Sequence, residues 1–277
     1  MIAMSQNLGA GRLLAISPHL DDAVLSFGAG LARAAQDGAK VTVYTVFAGT
    51  ATPPYSPAAE RLHGIWGLSP DQDASLHRRN EDIAALDHLG VDYRHGRFLD
   101  AIYRTLPDGR WLADNVPGRQ KLAISRLSPQ TDPDLFAAVR DDIKSVVEEC
   151  DPTLILTCAA GNGHIDNEIT RDAALLVAHE KDLPVRLWED LPHAMFGAGP
   201  AELPEGFDLG TGDFGSVTTD MRDRKFEALR LYPSQMLMLH GPGKDFFAQL
   251  DEHARKNSPQ GGYGETTWPV VSREDNS

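Results

Sequence analysis

The sequence predicts an α/β fold, namely a Rossmann-like, doubly wound and mainly parallel sheet with helices on both faces. Three observations predict it. Short apolar and β-branched runs alternate with amphipathic stretches of helical length from residue 13 to residue 188. Glycines and capping residues stand at the ends of several of these stretches. Clusters of His and Asp directly follow two of the predicted strands, which is where ligands bind in sheets of this kind.

The individual elements follow from local signals. Strands are predicted at residues 13–16, 41–47, 153–157 and 184–188. One or two further short strands are predicted within residues 91–99. The predicted helices are residues 22–36, 75–89, 132–150 and about 166–180. Gly38 and Gly90 stop the first two helices, and Asp132 with Pro133 opens the third in the N-cap and N1 pattern. Strands that alternate with helices in this way imply parallel pairing with right-handed crossovers.

One α/β catalytic domain is predicted over residues 1–256, because a chain of 277 residues with 42% hydrophobic content can bury a substantial core. A polar, Gly-rich tail over residues 257–277 is expected to be weakly ordered. Segments 51–70 and 107–133 are predicted to be long loops, which in a compact enzyme often form the mouth of the substrate site.

Composition narrows the function classes. The net charge of −14 argues against a nucleic-acid partner, because such binding needs a basic surface. No apolar run is long enough to cross a bilayer, and the first residues lack the pattern of a signal peptide. The two cysteines do not make a disulfide framework. We therefore expect a cytoplasmic protein with a small-molecule substrate and no membrane partner, and the sequence permits a homo-oligomer.

The first polar cluster is PHLDD at residues 18–22, where the chain turns from strand to helix. Two adjacent carboxylates repel one another, and burying either unpaired is costly, so a positive charge is expected between them. Helix capping by Asp22 is the simpler interpretation, but it leaves His19 and Asp21 unexplained. A metal site uses all three residues, with His19 and Asp22 as ligands and Asp21 as a general base.

The second polar cluster is GNGHIDN at residues 161–167, after another predicted strand. A capped helix start, with Asp166 or Asn167 near the N-cap, is again the simpler interpretation. His164 and Asp166 nevertheless repeat the combination of the first cluster on the same rim of the sheet. A catalytic zinc needs about three protein ligands and an open position for water, and the first cluster supplies two. The two clusters together favour one metal site.

Both clusters and four further stretches resemble one family. The order strand–PHxDD–helix and then strand–GxHxDH–helix is similar to that of the PIG-L/LmbE-like zinc-dependent N-deacetylases, which act on N-acetylglucosaminyl lipids, thiol-sugar precursors and amino-sugar intermediates. The other similar stretches are RRNE at 78–81 with the AA and LG that follow it, LDAIYR at 99–104, WEDLP at 188–192, and the pattern K..AL..YPSQ at 225–235. Since the stretches occur in the family's order, a chance match is unlikely to explain them.

The resemblance implies a role for each matching residue. The residues of the metal and reacting centre are His19 and Asp22 as zinc ligands, Asp21 as the general base, His164 as the group that stabilises the oxyanion, and Asp166 as the acid that orients His164. The residues expected to contact the substrate are Arg78, Asp100 and Asp190.

Asn167 stands where the family has its third ligand, a histidine. An amide oxygen is a neutral, hard ligand, whereas zinc prefers imidazole or thiolate. Asn167 could ligate through its oxygen with weaker binding, His164 could become the third ligand, or the site could have lost zinc and hydrolysis. We expect a retained metal, because the other five residues are all present. It would be Zn²⁺ or another divalent ion that tolerates the amide oxygen.

The sequence thus predicts metal-dependent hydrolysis of an N-acyl amide, by resemblance N-acetyl, on an amino sugar or a related small metabolite, with release of the free amine. Two alternatives stay open at this point. One is a metal-poor homologue that carries out acyl or amide transfer, or another reaction, on the same scaffold. The other is a non-catalytic protein that binds small molecules.

Overall fold

A mostly parallel sheet of eight strands is the centre of the structure. The computed structural model describes residues 11–69, 71–114, 123–124, 128–240, 243, 245–258 and 262–273. The strands are β1 (Arg12–Ser17), β2 (Lys40–Thr45), β3 (Asp92–His95), β4 (Ala113–Asp114), β5 (Ala123–Ile124), β6 (Leu154–Cys158), β7 (Val185–Trp188), β8 (Phe207–Leu209), β9 (Asp213–Ser216) and β10 (Gly264–Ser272). The α-helices are α1 (Asp22–Gln36), α2 (Pro57–Ile65), α3 (Ala74–Leu89), α4 (Pro133–Cys150), α5 (Ile165–Glu180), α6 (Thr219–Arg230), α7 (Pro233–Leu239) and α8 (Phe246–Asn257).

The strand order across the sheet is β3-β2-β1-β6-β7-β10-β8, and β9 also pairs with β10. The five strands from β3 to β7 in this order run parallel, whereas β10 is antiparallel to β7, β8 and β9. β1 lies between two parallel neighbours, with Ala15 opposite Val43 on one side and Leu156 on the other. Successive strand residues point to opposite faces, so Ala15 and Ile16 belong to different cores.

Helices cover both faces of the sheet, as the sequence predicted. On one face, Val24 of α1, Leu86 of α3 and Leu229 of α6 pack with the strands into one buried cluster. On the other face, Ile143 of α4 and Ile169 of α5 belong to a second cluster. Among the described helices, none is long and apolar enough to span a bilayer.

The elements with strong end signals lie where the sequence predicted them. Helix α1 spans the predicted residues 22–36. Asp132 caps α4, since its side chain accepts a hydrogen bond from the Leu135 N–H at 3.1 Å. Gly90 has a φ of 75°, the left-handed conformation that commonly ends a helix, and it follows the last residue of α3.

The prediction of a loop over residues 51–70 is wrong where α2 forms. Ser56 caps this helix, because its side chain accepts a hydrogen bond from the Ala59 N–H at 2.9 Å, and a proline occupies the first turn. Ala59 packs with Trp66 in a small core of its own. The proline-rich start of the segment suggested a loop, although it is also compatible with a helix N-terminus.

The predicted loop over residues 107–133 is described in part. Within the described residues, β4 and β5 pair antiparallel, and Pro129–Thr131 forms a 3₁₀ helix. Residues 115–122 and 125–127 lie outside the described part of the chain.

The prediction of a weakly ordered tail over residues 257–277 is wrong for β10, which lies inside the sheet. Its register places Thr267 opposite Trp188, and Thr267 is fully buried. Polar and Gly-rich composition suggested disorder, but β10 is stabilised by strands that are distant in the sequence. The sheet therefore extends beyond the predicted boundary at residue 256.

Candidate active site

Two strand-to-helix turns at the carboxyl ends of neighbouring strands form the candidate active site. β1 and β6 pair in parallel, with Ile16 opposite Thr157, so the turns that follow them lie side by side. The first turn carries His19 and the second carries His164. Their imidazole rings meet edge to face with centroids 4.8 Å apart. The structure therefore brings the two predicted clusters together.

His19 connects the two clusters. Its Nδ1 lies 3.2 Å from Asp22 Oδ2, and its Nε2 lies 3.1 Å from Asp166 Oδ2. Burial by itself would lower the pKa of His19, but the carboxylates of Asp100, Asp166 and Asp22 raise this pKa well above its ordinary value. Positive charge at His19 is thus stabilised by these three carboxylates, whereas the expectation from the PHLDD stretch was a positive charge between Asp21 and Asp22.

Asp21 is held differently from its neighbour Asp22. It occupies the N-cap position of α1, yet its side chain makes no capping hydrogen bond, and its φ of 117° is a conformation that L-residues rarely adopt. Its Oδ1 lies 3.6 Å from a guanidinium nitrogen of Arg78. Burial and the Asp22 carboxylate raise the pKa of Asp21 to about 8, against the opposing effect of Arg78. A proton affinity in this range suits a general base.

Asp166 is fully buried, and both of its oxygens are engaged. Oδ2 accepts a hydrogen bond from the Ala101 N–H at 2.9 Å and faces His19, while Oδ1 accepts one from the Arg104 guanidinium. Burial would raise the pKa of Asp166, but the Arg104 charge and the His19 hydrogen bond lower it below its ordinary range. Asp166 is therefore a fixed anion.

His164 is the N-cap residue of α5. Its Nδ1 accepts a hydrogen bond from the Asp166 backbone N–H at 3.2 Å, which leaves the proton of the neutral ring on Nε2. Burial lowers the pKa of His164, against the opposing effect of the Asp166 carboxylate. The site thus contains a neutral imidazole with an Nε2–H donor.

The donor atoms present fit a divalent metal ion. His19, His164 and Asp166 each offer one ligand atom, and these atoms lie within 4.8 Å of one another. Asn167 is 2% exposed, and its Oδ1 is a buried acceptor without a hydrogen-bond partner among the described residues. An unsatisfied buried acceptor is costly, and a cation would satisfy it. Imidazole, carboxylate and amide oxygen together suit zinc or a harder divalent ion.

Arg78 and Asp100, two of the residues predicted to contact the substrate, lie beside this group. Asp100 Oδ2 is 3.7 Å from an Arg78 nitrogen and 4.0 Å from His19 Nε2. Arg78 also donates to the Leu20 carbonyl at 2.7 Å and lies 5.0 Å over the Trp66 ring. The Arg78 Nε is buried without a hydrogen-bond partner among the described residues.

Asp190, unlike Arg78 and Asp100, accepts a hydrogen bond from the backbone of the second turn. It is buried, and its Oδ2 accepts a hydrogen bond from the Gly161 N–H at 2.7 Å. Burial raises the pKa of Asp190 to about 7. The chain passes so closely here that a Cβ on Gly161 would lie 2.0 Å from the Gly199 carbonyl oxygen. Asp190 therefore anchors the loop that leads to His164.

Arg104 and the Ala101 N–H are functional groups that the sequence reasoning missed. Both belong to the LDAIYR stretch, which was recognised by its resemblance but gave Arg104 no role. The Arg104 guanidinium lies 5.2 Å over the Phe47 ring and is paired with Asp166. The available signal was Asp166 itself, because a buried carboxylate needs a cationic or hydrogen-bonding partner.

A pocket of about 490 Å³ opens beside Arg104. Leu106, Leu112, Ile165 and Ile169 contribute its apolar wall. Arg104, which pairs with Asp166, lines this pocket, whereas its described lining includes neither His19 nor His164. Its size and lining suit a small-molecule substrate.

The solved structures that are similar over nearly the whole chain include those of two deacetylases. The structure of a zinc inhibited form of teicoplanin deacetylase Orf2 is 66% identical, with a TM-score of 0.91 over 95% of this chain and 99% of that one. The structure of the A40926 pseudoaglycone deacetylase Dbv21 is 55% identical, with a TM-score of 0.83 over 95% of this chain and 98% of that one.

Sequence comparison identifies the family. The 1D-myo-inositol 2-acetamido-2-deoxy-alpha-D-glucopyranoside deacetylase of Streptomyces griseus is 31% identical over 194 residues, which are 69% of this chain and 55% of that protein. A family model described as "PIG-L: GlcNAc-PI de-N-acetylase" matches residues 14–178, more than half of the chain, and this range includes both polar clusters. The chain therefore belongs to the PIG-L family of de-N-acetylases and is an N-deacetylase, that is, a hydrolase of N-acetylated amino sugars.

Proposed function

We propose that this chain removes an N-acetyl or another N-acyl group from an amino sugar of a teicoplanin-type antimicrobial compound or of its pseudoaglycone. The observation that carries the hydrolytic part of the proposal is the meeting of the two turns, where His19, His164 and Asp166 offer ligand atoms within 4.8 Å of one another. The similarity to the teicoplanin and A40926 pseudoaglycone deacetylases supports this substrate class.

We propose His19, Asp22 and Asn167 as the metal ligands. The two ring nitrogens of His19 face different carboxylates, Nδ1 towards Asp22 and Nε2 towards Asp166. The set with Asp22 uses the Asn167 oxygen, a buried acceptor without a hydrogen-bond partner among the described residues, whereas the alternative set combines His19 with His164 and Asp166. The first set is favoured because both oxygens of Asp166 already accept hydrogen bonds, from a backbone N–H and a guanidinium, whereas the backbone N–H bond to Asp22, from His19, goes to Oδ2.

Asp21 is proposed as the general base. A divalent ion held at this site would polarise the acyl carbonyl and make water more acidic. Asp21 takes one proton from the attacking water as the water oxygen bonds to the acyl carbon. It then delivers that proton to the amine as the C–N bond breaks, so amide and water are converted into carboxylic acid and amine.

The other residues bind, orient and stabilise. His164 is proposed to donate its Nε2–H to the acyl oxygen as negative charge develops there, and the Asp166 N–H holds the ring in the required tautomer. Arg78 and Asp100, whose side chains lie 3.7 Å apart beside the site, are proposed to contact the substrate, Asp100 by accepting hydrogen bonds from sugar hydroxyls. Asp190 is proposed to act on the substrate indirectly, through the loop that it anchors.

Hydrolysis assays with matched substrates test the proposal. The purified protein is incubated with an N-acetylglucosaminyl teicoplanin pseudoaglycone, an N-acetylglucosaminyl inositol and free N-acetylglucosamine, and deacylation is followed by mass spectrometry. We expect the highest kcat/KM for the pseudoaglycone. Preference for the inositol glycoside would contradict the substrate class, and no turnover of any substrate would contradict the function.

Metal dependence is tested on the same protein. Chelation should abolish turnover, and adding back Zn²⁺, Co²⁺ or Mn²⁺ should restore it. The similar teicoplanin deacetylase was solved in a zinc inhibited form, so zinc should be titrated from below one equivalent into excess. Turnover that survives complete removal of metal would overturn the ligand proposal. The cytoplasmic location and the homo-oligomer stay predictions, to be checked by cell fractionation and size-exclusion chromatography.

A further inference from the structure

A buried ion pair joins α6 to β10, and the proposed mechanism uses neither of its residues. Lys225 is fully buried, and its Nζ lies 2.6 Å from Glu265 Oε1. The Glu265 side chain is 3% exposed. Taking two charges out of water is costly unless additional hydrogen bonds compensate, so the other contacts of this pair indicate what it does.

Glu265 also binds the backbone of α1. Its Oε1 accepts a hydrogen bond from the Ala29 N–H at 3.2 Å, and its Oε2 accepts one from the Gly30 N–H at 2.8 Å. Helix α1 is interrupted just before these residues, because Phe27 has a φ of −137° and a ψ of 21°. A new helical segment begins with backbone N–H groups that lack acceptors, and a carboxylate there also interacts favourably with the helix dipole. Glu265 therefore caps the second half of α1.

The sequence FGAG at residues 27–30 suits this break. A Cβ on Gly30 would lie 2.4 Å from the Phe27 ring, and a Cβ on Gly28 would lie 3.1 Å from Lys225 Cγ. The two glycines therefore leave room for the aromatic ring and for the stem of the lysine. The break in α1, the Phe27 ring and Lys225 stem beside it, and the capping Glu265 carboxylate are thus packed together.

The first half of α1, residues 22–26, carries part of the candidate active site. Asp22 begins it, and Asp21 immediately precedes it. At its other end, Ser26 Oγ accepts a hydrogen bond from the Leu191 N–H at 3.2 Å. Leu191 follows the aspartate that anchors the second turn. The break at Phe27 therefore sets the direction of residues 22–26 relative to the second turn.

We infer that the Lys225–Glu265 pair is a positioning device, which sets the break in α1 and thereby places Asp21 and Asp22 against His164. Lys225 and Glu265 are positioning residues, because they act through the backbone of α1. The inference rests on the proposed function, since it concerns the proposed base and one proposed ligand.

Two variants separate charge balance from hydrogen-bond geometry. Glu265→Gln keeps one acceptor oxygen, so one α1 N–H faces an amide NH₂ group instead of an oxygen, and Lys225 is left unpaired. The double variant Lys225→Met/Glu265→Gln keeps the same defect in geometry but removes the unpaired charge, and neutral replacement of a buried pair is often tolerated. Ile143→Ala, buried in α4 on the opposite face of the sheet, is the control for a general loss of stability.

We expect the Tm of Glu265→Gln to fall and that of the double variant to return towards the wild-type value. Circular dichroism should show that both variants are folded. In both, kcat should fall about tenfold or more with little change in KM. Their zinc affinity, measured by chelator competition, should weaken about tenfold. Ile143→Ala should lose Tm while keeping its kcat and zinc affinity.

A folded double variant with wild-type kcat and wild-type zinc affinity would overturn the inference. So would a loss of kcat in Ile143→Ala as large as that in the double variant, because stability alone would then explain the effect. If the wild-type protein hydrolyses no substrate, the proposed function fails, and the zinc affinities still decide whether the pair positions Asp22.

Discussion

The two turns of the candidate active site are alike in sequence, and they hold their acids in different ways. In the β1–α1 turn, Asp21 occupies the N-cap position with a φ of 117° and does not cap the helix. In the β6–α5 turn, His164 takes the N-cap position, and Asp166 is held by the Ala101 N–H and the Arg104 guanidinium. The Asp21 carboxylate in the first turn makes no hydrogen bond to its helix, whereas the Asp166 carboxylate in the second turn is fixed by two hydrogen bonds.

This difference separates two catalytic requirements. A carboxylate whose pKa is raised to about 8 by burial and by Asp22 can take up a proton near neutral pH. A carboxylate whose pKa is lowered by Arg104 stays an anion, and its Oδ2 faces the His19 ring, whereas the His164 ring is held by the Asp166 backbone N–H and not by the carboxylate as predicted. Titratable groups whose environments move their pKa values apart commonly divide acid–base and orienting roles. The predictions below test this division.

Asp21→Asn should have the largest effect on catalysis. The amide keeps the shape of the side chain but cannot accept a proton, so kcat should fall by about 10²- to 10⁴-fold while metal content is unchanged. Steady-state kinetics and metal analysis measure both quantities. Asp141→Asn, on the exposed surface of α4, is the matched control and should keep wild-type kcat. Near wild-type turnover in Asp21→Asn would disprove the base assignment.

Asp166→Asn should have the largest effect on stability. It removes the anion that pairs with Arg104, and loss of one partner of a buried pair costs about 3–5 kcal/mol of the free energy of unfolding. Asp21→Asn should cost far less, because ionised Asp21 is itself disfavoured by burial. Urea unfolding of both variants at one pH compares them. Equal losses would show that the two turns do not differ in the way proposed.

Asn167→His should tighten zinc binding without necessarily raising activity. It replaces a neutral amide oxygen with the imidazole that zinc prefers, and a stronger donor leaves the zinc a weaker Lewis acid. Chelator competition on the wild type, Asn167→His and His164→Ala measures the affinities. If His164→Ala abolishes binding while Asn167→His changes little, His164 is the third ligand. Unchanged affinity in both variants would mean that the second turn contributes neither residue to the metal.

Asp190→Asn should have its effect on the pH dependence of stability, which should become weaker. The pKa of Asp190 is about 7 in the folded protein and near 4 when unfolded, so between these values the folded state binds more protons. The free energy of unfolding therefore falls as pH rises through this range, by up to about 1.4 kcal/mol per pH unit. The variant cannot ionise and keeps an acceptor for the Gly161 N–H. Denaturant unfolding from about pH 5 to about pH 8 should show a flatter profile than the wild type, and identical profiles would contradict the prediction.

The sequence correctly predicted the helices whose ends are set by residues next to them in the chain. Asp132 caps α4 and Gly90 terminates α3, and both act within a few residues of the helix. The signals failed for β10, whose Thr267 is buried against β7, about eighty residues earlier in the chain. The β-branched and aromatic residues of TTWPVV at 266–271 were a local strand signal, which the polar and Gly-rich residues around them obscured.

The same limit applies to the candidate active site. The order of strands and helices predicted that the PHLDD and GNGHIDN turns meet, because parallel strands place their carboxyl ends on one rim. It did not predict Arg104, which reaches Asp166 from a separate loop. It also did not predict the Lys225–Glu265 pair that caps the interrupted α1.

The sequence by itself determined which chemical groups occur at the two turns and that the turns share one edge of the sheet, because residue types and strand–helix alternation are local properties. The tertiary structure decided which acid is free to take a proton and which is fixed. Asp166 is held by groups 62 and 65 residues away, and Asp21 faces Arg78 from α3. A pKa depends on burial and on nearby charges, and in this protein distant segments of the chain supply both.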